Sequence, residues 1–200
     1  LSRPAAAKTG TSQEWRDAWL AGYVPQLAAG GVVRFLVEPV AGSDIGDGLY
    51  DLKMSVATGN LFPYLVTEQK YWNFTVRYEF MVPDGSNSGF YLRGRHEIQI
   101  LGDFKSGKPS KTGNGAIYNQ TAPSEFASKP GGEWQTCEAT IIGNKITVIL
   151  NGKKIHDAVE CNVATGSEID KNVTEPGPLF LQGDHGTVWF RNMRIKELAK

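Results

Sequence analysis

Between Asn87 and Asp103 the chain reads NSGFYLRGRHEIQILGD, and these residue types can hold a ligand rich in hydroxyl groups or move protons on it. One alternating set carries Tyr91, Arg93, Arg95, Glu97 and Gln99; the other carries Phe90, Leu92, Ile98 and Ile100. Successive side chains of a strand point to opposite faces, so the apolar set can enter a core while the polar set gathers on the other side. A carboxylate among guanidinium, amide and phenol groups suits sugar recognition and general acid–base work. The plainer alternative is an ion pair of Glu97 with Arg93 or Arg95 on a solvated sheet face. A hairpin turn at Gly94-Arg95 would also take Arg93 off the face of Glu97.

Strands must position these groups. Tyr71–Val82 (YWNFTVRYEFMV) alternates clearly, with Trp72, Phe74, Val76, Tyr78, Phe80 and Val82 on one side and Asn73, Thr75, Arg77 and Glu79 on the other. Further strands are predicted over Val32–Val37, Leu49–Ala57, Leu61–Val66, Leu179–Gln182 and Thr187–Leu198. Glu133–Ile142 and Lys145–Asn151 read as a hairpin across Gly143-Asn144, with a further reversal at Asn151-Gly152. Glu14–Leu20 predicts a short helix or turn, and residues 1–12 a loose tail before a single domain over 13–200. Many strands with almost no amphipathic helix point to an all-β fold: a two-sheet antiparallel β-sandwich or jelly roll.

The bulk composition narrows the function. The 200 residues hold 21 Lys plus Arg against 21 Asp plus Glu, so no basic footprint points to nucleic acid or an anionic membrane. No apolar run is long enough for membrane insertion. The chain begins with Leu1, which a removed signal peptide or a trimmed sequence would explain. Cys137 and Cys161 are the two cysteines, read either as buried thiols or as one bridge in an exported protein. No cofactor is implied; Asp44 and Asp47 among glycines allow a structural Ca²⁺ but lack a full loop motif.

Four blocks in order, NSGFYLRGRHEIQIL, GAIYNQTAP, GEWQTCEATIIGNKITVILNG and GPLFLQGDHGTVWFRNMRIKEL, resemble the 3-keto-disaccharide hydrolase domain family over roughly Tyr71–Leu198. The resemblance implies a concanavalin-like jelly roll, commonly secreted by bacteria, that cleaves a glycosidic bond in a sugar oxidised to a ketone at C3. The family pattern E-x-Q-x-x-D falls on Glu97 and Gln99, but its last position is Gly102, with Asp103 one place later. The LQ-x-x-HG block matches at Gln182, His185 and Gly186.

A C3 ketone acidifies the C2 proton, so elimination needs a base, an enolate donor and an acid for the leaving oxygen. Glu97 or His185 is the expected catalytic base, and Arg93 or Gln99 the donor. Tyr91, Asp103, Tyr118 and Gln182 complete the expected substrate contacts. Two-carboxylate hydrolysis by Glu97 and Asp103 ranks lower, because it depends on their separation. The alternative is a non-catalytic carbohydrate-binding module of the same fold, marked by exposed flat aromatics without a base; a purely structural or adhesive sandwich is the third reading. His96 is expected as a satisfied core or edge residue, His156 as surface, and Trp72 and Trp134 as core.

Overall fold

A computed structural model describes residues 7–8, 21–22, 33–39, 49–56 and 64–199 apart from 183, 184 and 187. The strands are β1 (Ala7–Lys8), β2 (Ala21–Gly22), β3 (Val33–Pro39), β4 (Leu49–Val56), β5 (Tyr64–Thr67), β6 (Phe74–Met81) and β7 (Asn87–Leu92). They continue as β8 (His96–Leu101), β9 (Trp134–Ile142), β10 (Lys145–Leu150), β11 (Lys153–Glu160), β12 (Phe180–Gln182) and β13 (Trp189–Glu197). Among the described residues the one helical turn is the 3₁₀ segment Phe104–Ser106, and no helix is long and apolar enough to cross a membrane. The expected Glu14–Leu20 helix, the Asp44/Asp47 loop and the tail, apart from Ala7–Lys8, lie outside the described residues.

β1 pairs with β2, and the other strands form one hydrogen-bonded ladder in the order β11-β10-β9-β6-β13-β4-β3-β5-β12-β7-β8. Every pairing is antiparallel except β3 with β5. The ladder doubles over, so the layer containing β6, β9, β10 and β13 faces the layer containing β12, β7 and β8 as an all-β sandwich. One apolar cluster joins the two: Phe74, Val76 and Tyr78 from β6 with Phe90 and Leu92 from β7 and Ile98 and Ile100 from β8. Tyr78 stacks on Phe90 across the layers, with ring centroids 4.2 Å apart. The predicted alternation of β6 accounts for this packing, since each inward side chain is fully buried and adds hydrophobic stabilisation.

Several expectations change. Trp72 and Trp134 are half-buried and outside the core cluster, each carrying a guanidinium on its ring: Arg93 at 3.5 Å and Arg191 at 3.8 Å from the centroid. Cys137 and Cys161 are free thiols, and burial pushes them up to about 12 and about 11 respectively. His156 is buried rather than surface: it lies on β11, a strand its polar sequence concealed, and its Nε2 donates to Gly115 O at 2.9 Å.

His96 enters the core side of the β7–β8 hairpin opposite Leu92, but neither ring nitrogen has a partner. Burial first, then the charges of Arg93 and Arg95, lowers its pKa to about 4. The unfolded chain therefore binds the extra proton between the ordinary histidine range and about 4, and stability falls as pH drops through that window. The full loss approaches about 3 kcal/mol at ~1.4 kcal/mol per unit. Urea denaturation of wild type and His96→Leu at pH 7 and pH 4.5 checks this. The variant should lose several-fold less stability on acidification; equal losses would show that another group carries the effect.

Candidate functional site

The β7–β8 hairpin sets the site. Its turn occupies Arg93 to Arg95, and its register pairs Tyr91 with Glu97, Phe90 with Ile98, and Gly89 with Gln99. β12 continues these rows, with Phe180 opposite Tyr91 and Leu181 opposite Phe90. Leu181, Phe90 and Ile98 thus face the core, while Phe180, Tyr91 and Glu97 share the other face, joined by Gln182, Gly89 and Gln99 in the next row.

Glu97 folds across Gly89. A Cβ on Gly89 would overlap Glu97 Oε1, so glycine at this point makes room for the carboxylate. The Tyr91 hydroxyl donates to Glu97 Oε2 at 2.8 Å, and the Tyr91 ring stacks on Phe180 at 4.2 Å between centroids. The Glu97 backbone is fixed on both sides: its N–H donates to Thr165 Oγ1 at 2.9 Å and its carbonyl accepts from Tyr118 N at 3.0 Å. Glu97 is only 4% exposed and Tyr91 fully buried, so this is a carboxylate withdrawn from bulk water and charge-assisted by a phenol.

Three amides surround this point. Gln99 Oε1, Gln182 Oε1 and Asn87 Oδ1 are each buried without a hydrogen-bond partner. Such groups are costly to leave unpaired, and three on one polar face form a set that a hydroxyl-rich ligand would satisfy. Asn87 belongs with this set. Its alternation with Gly89 and Tyr91 was the signal that placed it there. Ser88, by contrast, is structural: its Oγ donates to Gln182 O at 2.8 Å and ties β7 to β12.

His185 is exposed on the loop after β12. Its neighbour Gly186 packs against Ser86 and Asn87, where a Cβ would overlap Ser86 Oγ. His185 therefore borders the Asn87 end of the same face. Tyr118 is half-buried beside Glu97 on the segment that covers the outer edge of β8.

Arg93 does not join them. The left-handed backbone at Arg93 and Gly94 (φ 54° and 65°) breaks the alternation and turns the guanidinium away. It is fully buried, donating to Trp72 O at 2.7 Å and Gly143 O at 2.8 Å, and burial lowers its pKa to about 10. Arg95 instead grips Asp170 with two bonds and Glu175 O with a third, fastening the segment that follows β11. Asp103 also has internal partners. Its carboxylate accepts from Asn114 N at 2.9 Å and Ser128 Oγ at 2.7 Å, which pins the loop between β8 and β9. Among the described residues no group of three His, Cys, Asp or Glu side chains is placed to hold a metal.

The family model of the 3-keto-alpha-glucoside-1,2-lyase-like domain matches residues 11–196. The chain belongs to that family. The match reaches well into the first sixty residues, beyond the blocks that carry the resemblance in sequence. Two solved structures of candidate glycosyl hydrolases from Parabacteroides distasonis ATCC 8503 are similar to it. One is 26% identical at a TM-score of 0.58, covering 79% of this chain and 75% of the other. The second is 27% identical at a TM-score of 0.54, covering 76% of this chain and 88% of the other. No curated protein matches the chain.

Within this lyase-like domain the glycine at position 102 has a steric cause. A Cβ there would overlap the Pro83 carbonyl, because Gly102 exchanges backbone bonds with the Pro83–Ser86 turn. An aspartate could not occupy the site without moving that turn, and Asp103 serves the neighbouring loop instead. We predict that Gly89→Ala lowers the melting temperature by several degrees and displaces the Glu97 carboxylate, whereas Tyr91→Phe costs about 1–2 kcal/mol in denaturant unfolding by removing one charged hydrogen bond. Unchanged stability of both variants would mean that Glu97 rests elsewhere.

Proposed function

We propose that the domain cleaves 3-keto-glycosides by elimination on the face shared by β12, β7 and β8. The observation carrying this reading is a buried carboxylate, Glu97, held over a glycine by a phenol and bordered by three amides with unpartnered oxygens. Membership of the lyase-like family supports the same chemistry.

In the proposed reaction Glu97 accepts the C2 proton, and the electron pair moves onto the C3 oxygen as an enediolate. The pair then returns to form the C1–C2 double bond as the C1–O bond breaks, restoring the ketone. The leaving oxygen takes a proton, with His185 as donor at the rim. The products are a 1,2-unsaturated 3-keto sugar and an alcohol, without net oxidation. Gln99 Oε1, its NH₂ held by Thr112 O, accepts from a sugar hydroxyl, and Gln182 serves the enediolate, since a half-turn of its amide exchanges its oxygen for its NH₂. Asn87 bonds a further hydroxyl.

Tyr91 is fully buried against Phe180, so its ring is a support for Glu97 and not a platform for a sugar. That favours catalysis over the binding-module reading, which calls for exposed flat aromatics on this face.

Turnover of 3-keto-glucosides beside their unoxidised parents tests the proposal, followed by the absorbance of the conjugated enone. Only the keto sugars should react, and Glu97→Gln should slow them by about 10²–10⁴-fold, the usual worth of a positioned base. Equal cleavage of the parent glycosides, or full activity in Glu97→Gln, would overturn it.

A further inference from the structure

We infer a second sugar-binding site, on the opposite outer face of the sandwich, in a trough crossing β6, β9, β10 and β13. It encloses about 400 Å³ and is lined by Arg77, Glu79, Thr136, Glu138, Asn192 and Arg194 among others. None of these residues belongs to the Glu97 face.

A bulge in β13 builds the trough. Arg191 is in register with Glu79 and Arg194 with Arg77, so Asn192 and Met193 together oppose the single residue Tyr78. Asn192 adopts a left-handed backbone, φ 51°, and Met193 still enters the core. Regular alternation would send Asn192 or its neighbours inward. The bulge instead leaves Arg191, Asn192 and Arg194 all outside the core, which is the re-aiming such irregularities achieve.

The polar groups are held in place. Glu79 accepts from Arg191 Nε and, at 3.0 Å, from Asn192 Nδ2, while Arg191 lies over the Trp134 ring. Arg77 pairs with Glu138 on the neighbouring strand. Asn192 Oδ1 is left buried without a partner.

The ligand class follows from this set. Glu79 is engaged by Arg191 and Asn192, and Glu138 by Arg77, so the trough presents paired groups and not a lone charge with which to select an anion or a cation. It offers fixed donors and acceptors side by side, together with the Thr136 hydroxyl and the Asn192 amide. A neutral saccharide needs that arrangement, because each hydroxyl both donates and accepts. The site holds no free acid–base pair, since both carboxylates are engaged by cations or an amide; it binds without cleaving. An enzyme with such a site would be retained on a neutral glycan or glycoside while the other face acts.

Backbone NMR titration with methyl α-glucoside, maltose and cellobiose, with glucuronate as the anionic control, tests the inference on the wild-type chain and on Glu97→Gln. The amides of Thr136, Glu138, Gly152 and Asn192 should shift with the neutral sugars in both proteins. Thr136→Trp, which fills the trough from an exposed position, and Asn192→Gly, which keeps the backbone conformation, should each weaken that binding by about tenfold or more. The inference fails if no shifts appear at the trough, if they are confined to the Gly89–Gln99 face, if glucuronate binds better than the neutral sugars, or if both variants bind as wild type. Because Glu97→Gln disables only the proposed catalytic face, loss of one site is readable apart from the other.

Discussion

The register of the β7–β8 hairpin is the constraint on which the rest depends. With Tyr91 opposite Glu97, one row of side chains completes the core and the other assembles the polar face. A slip by one residue would exchange the rows, driving Glu97 and Gln99 against Phe74 and Tyr78 while exposing Phe90 and Ile98. Both ends of the hairpin resist that slip. At the turn, Arg93 is anchored to carbonyls of two distant segments and Arg95 to Asp170. At the open end, Gly102 donates to Ser86 O and accepts from Gly85 N, and a side chain on Gly102 would overlap the Pro83 carbonyl.

These anchors use groups whose chemistry looks functional but whose partners are internal. The Arg93 guanidinium has a ring and two carbonyls for company and no carboxylate, and its charge in turn helps hold His96 neutral. Asp103 is spent on a network in which Asn114 donates to Ser128 and to Gln135 on β9, and Asn151 donates to the same Gln135 oxygen. Once these are assigned to architecture, the polar atoms left without partners among the described residues on the Glu97 face are the amide oxygens of Asn87, Gln99 and Gln182.

Much of this was legible in the chain. The strict two-residue period of β6, the Gly143-Asn144 hairpin and the polar row of β8 gave the sandwich and placed Tyr91, Glu97 and Gln99 together, since local period determines face. Arg93 was left open between the two faces by the possible turn at Gly94-Arg95, because period says nothing about a left-handed residue inside a turn. β11 escaped notice because Lys153, Lys154 and Asp157 interrupt its pattern, and with it the burial of His156. Asp103 could not be separated from the site by sequence, because its partners Asn114 and Ser128 are brought near only by the long loop.

A sandwich presents two outer faces, and here they are polar in different ways. The Glu97 face is deeply withdrawn: a carboxylate, a buried phenol and three amides, with a glycine where a side chain would fill the space. The β13 face is shallower, and its charges are paired in advance around a bulge. Electrostatic groups act on a reacting centre most strongly where water is excluded and the dipoles are already fixed. That condition is met over Gly89 and not in the outer trough, where Arg77 is largely exposed. The proposed chemistry therefore belongs on the first face, and the inferred reversible recognition on the second.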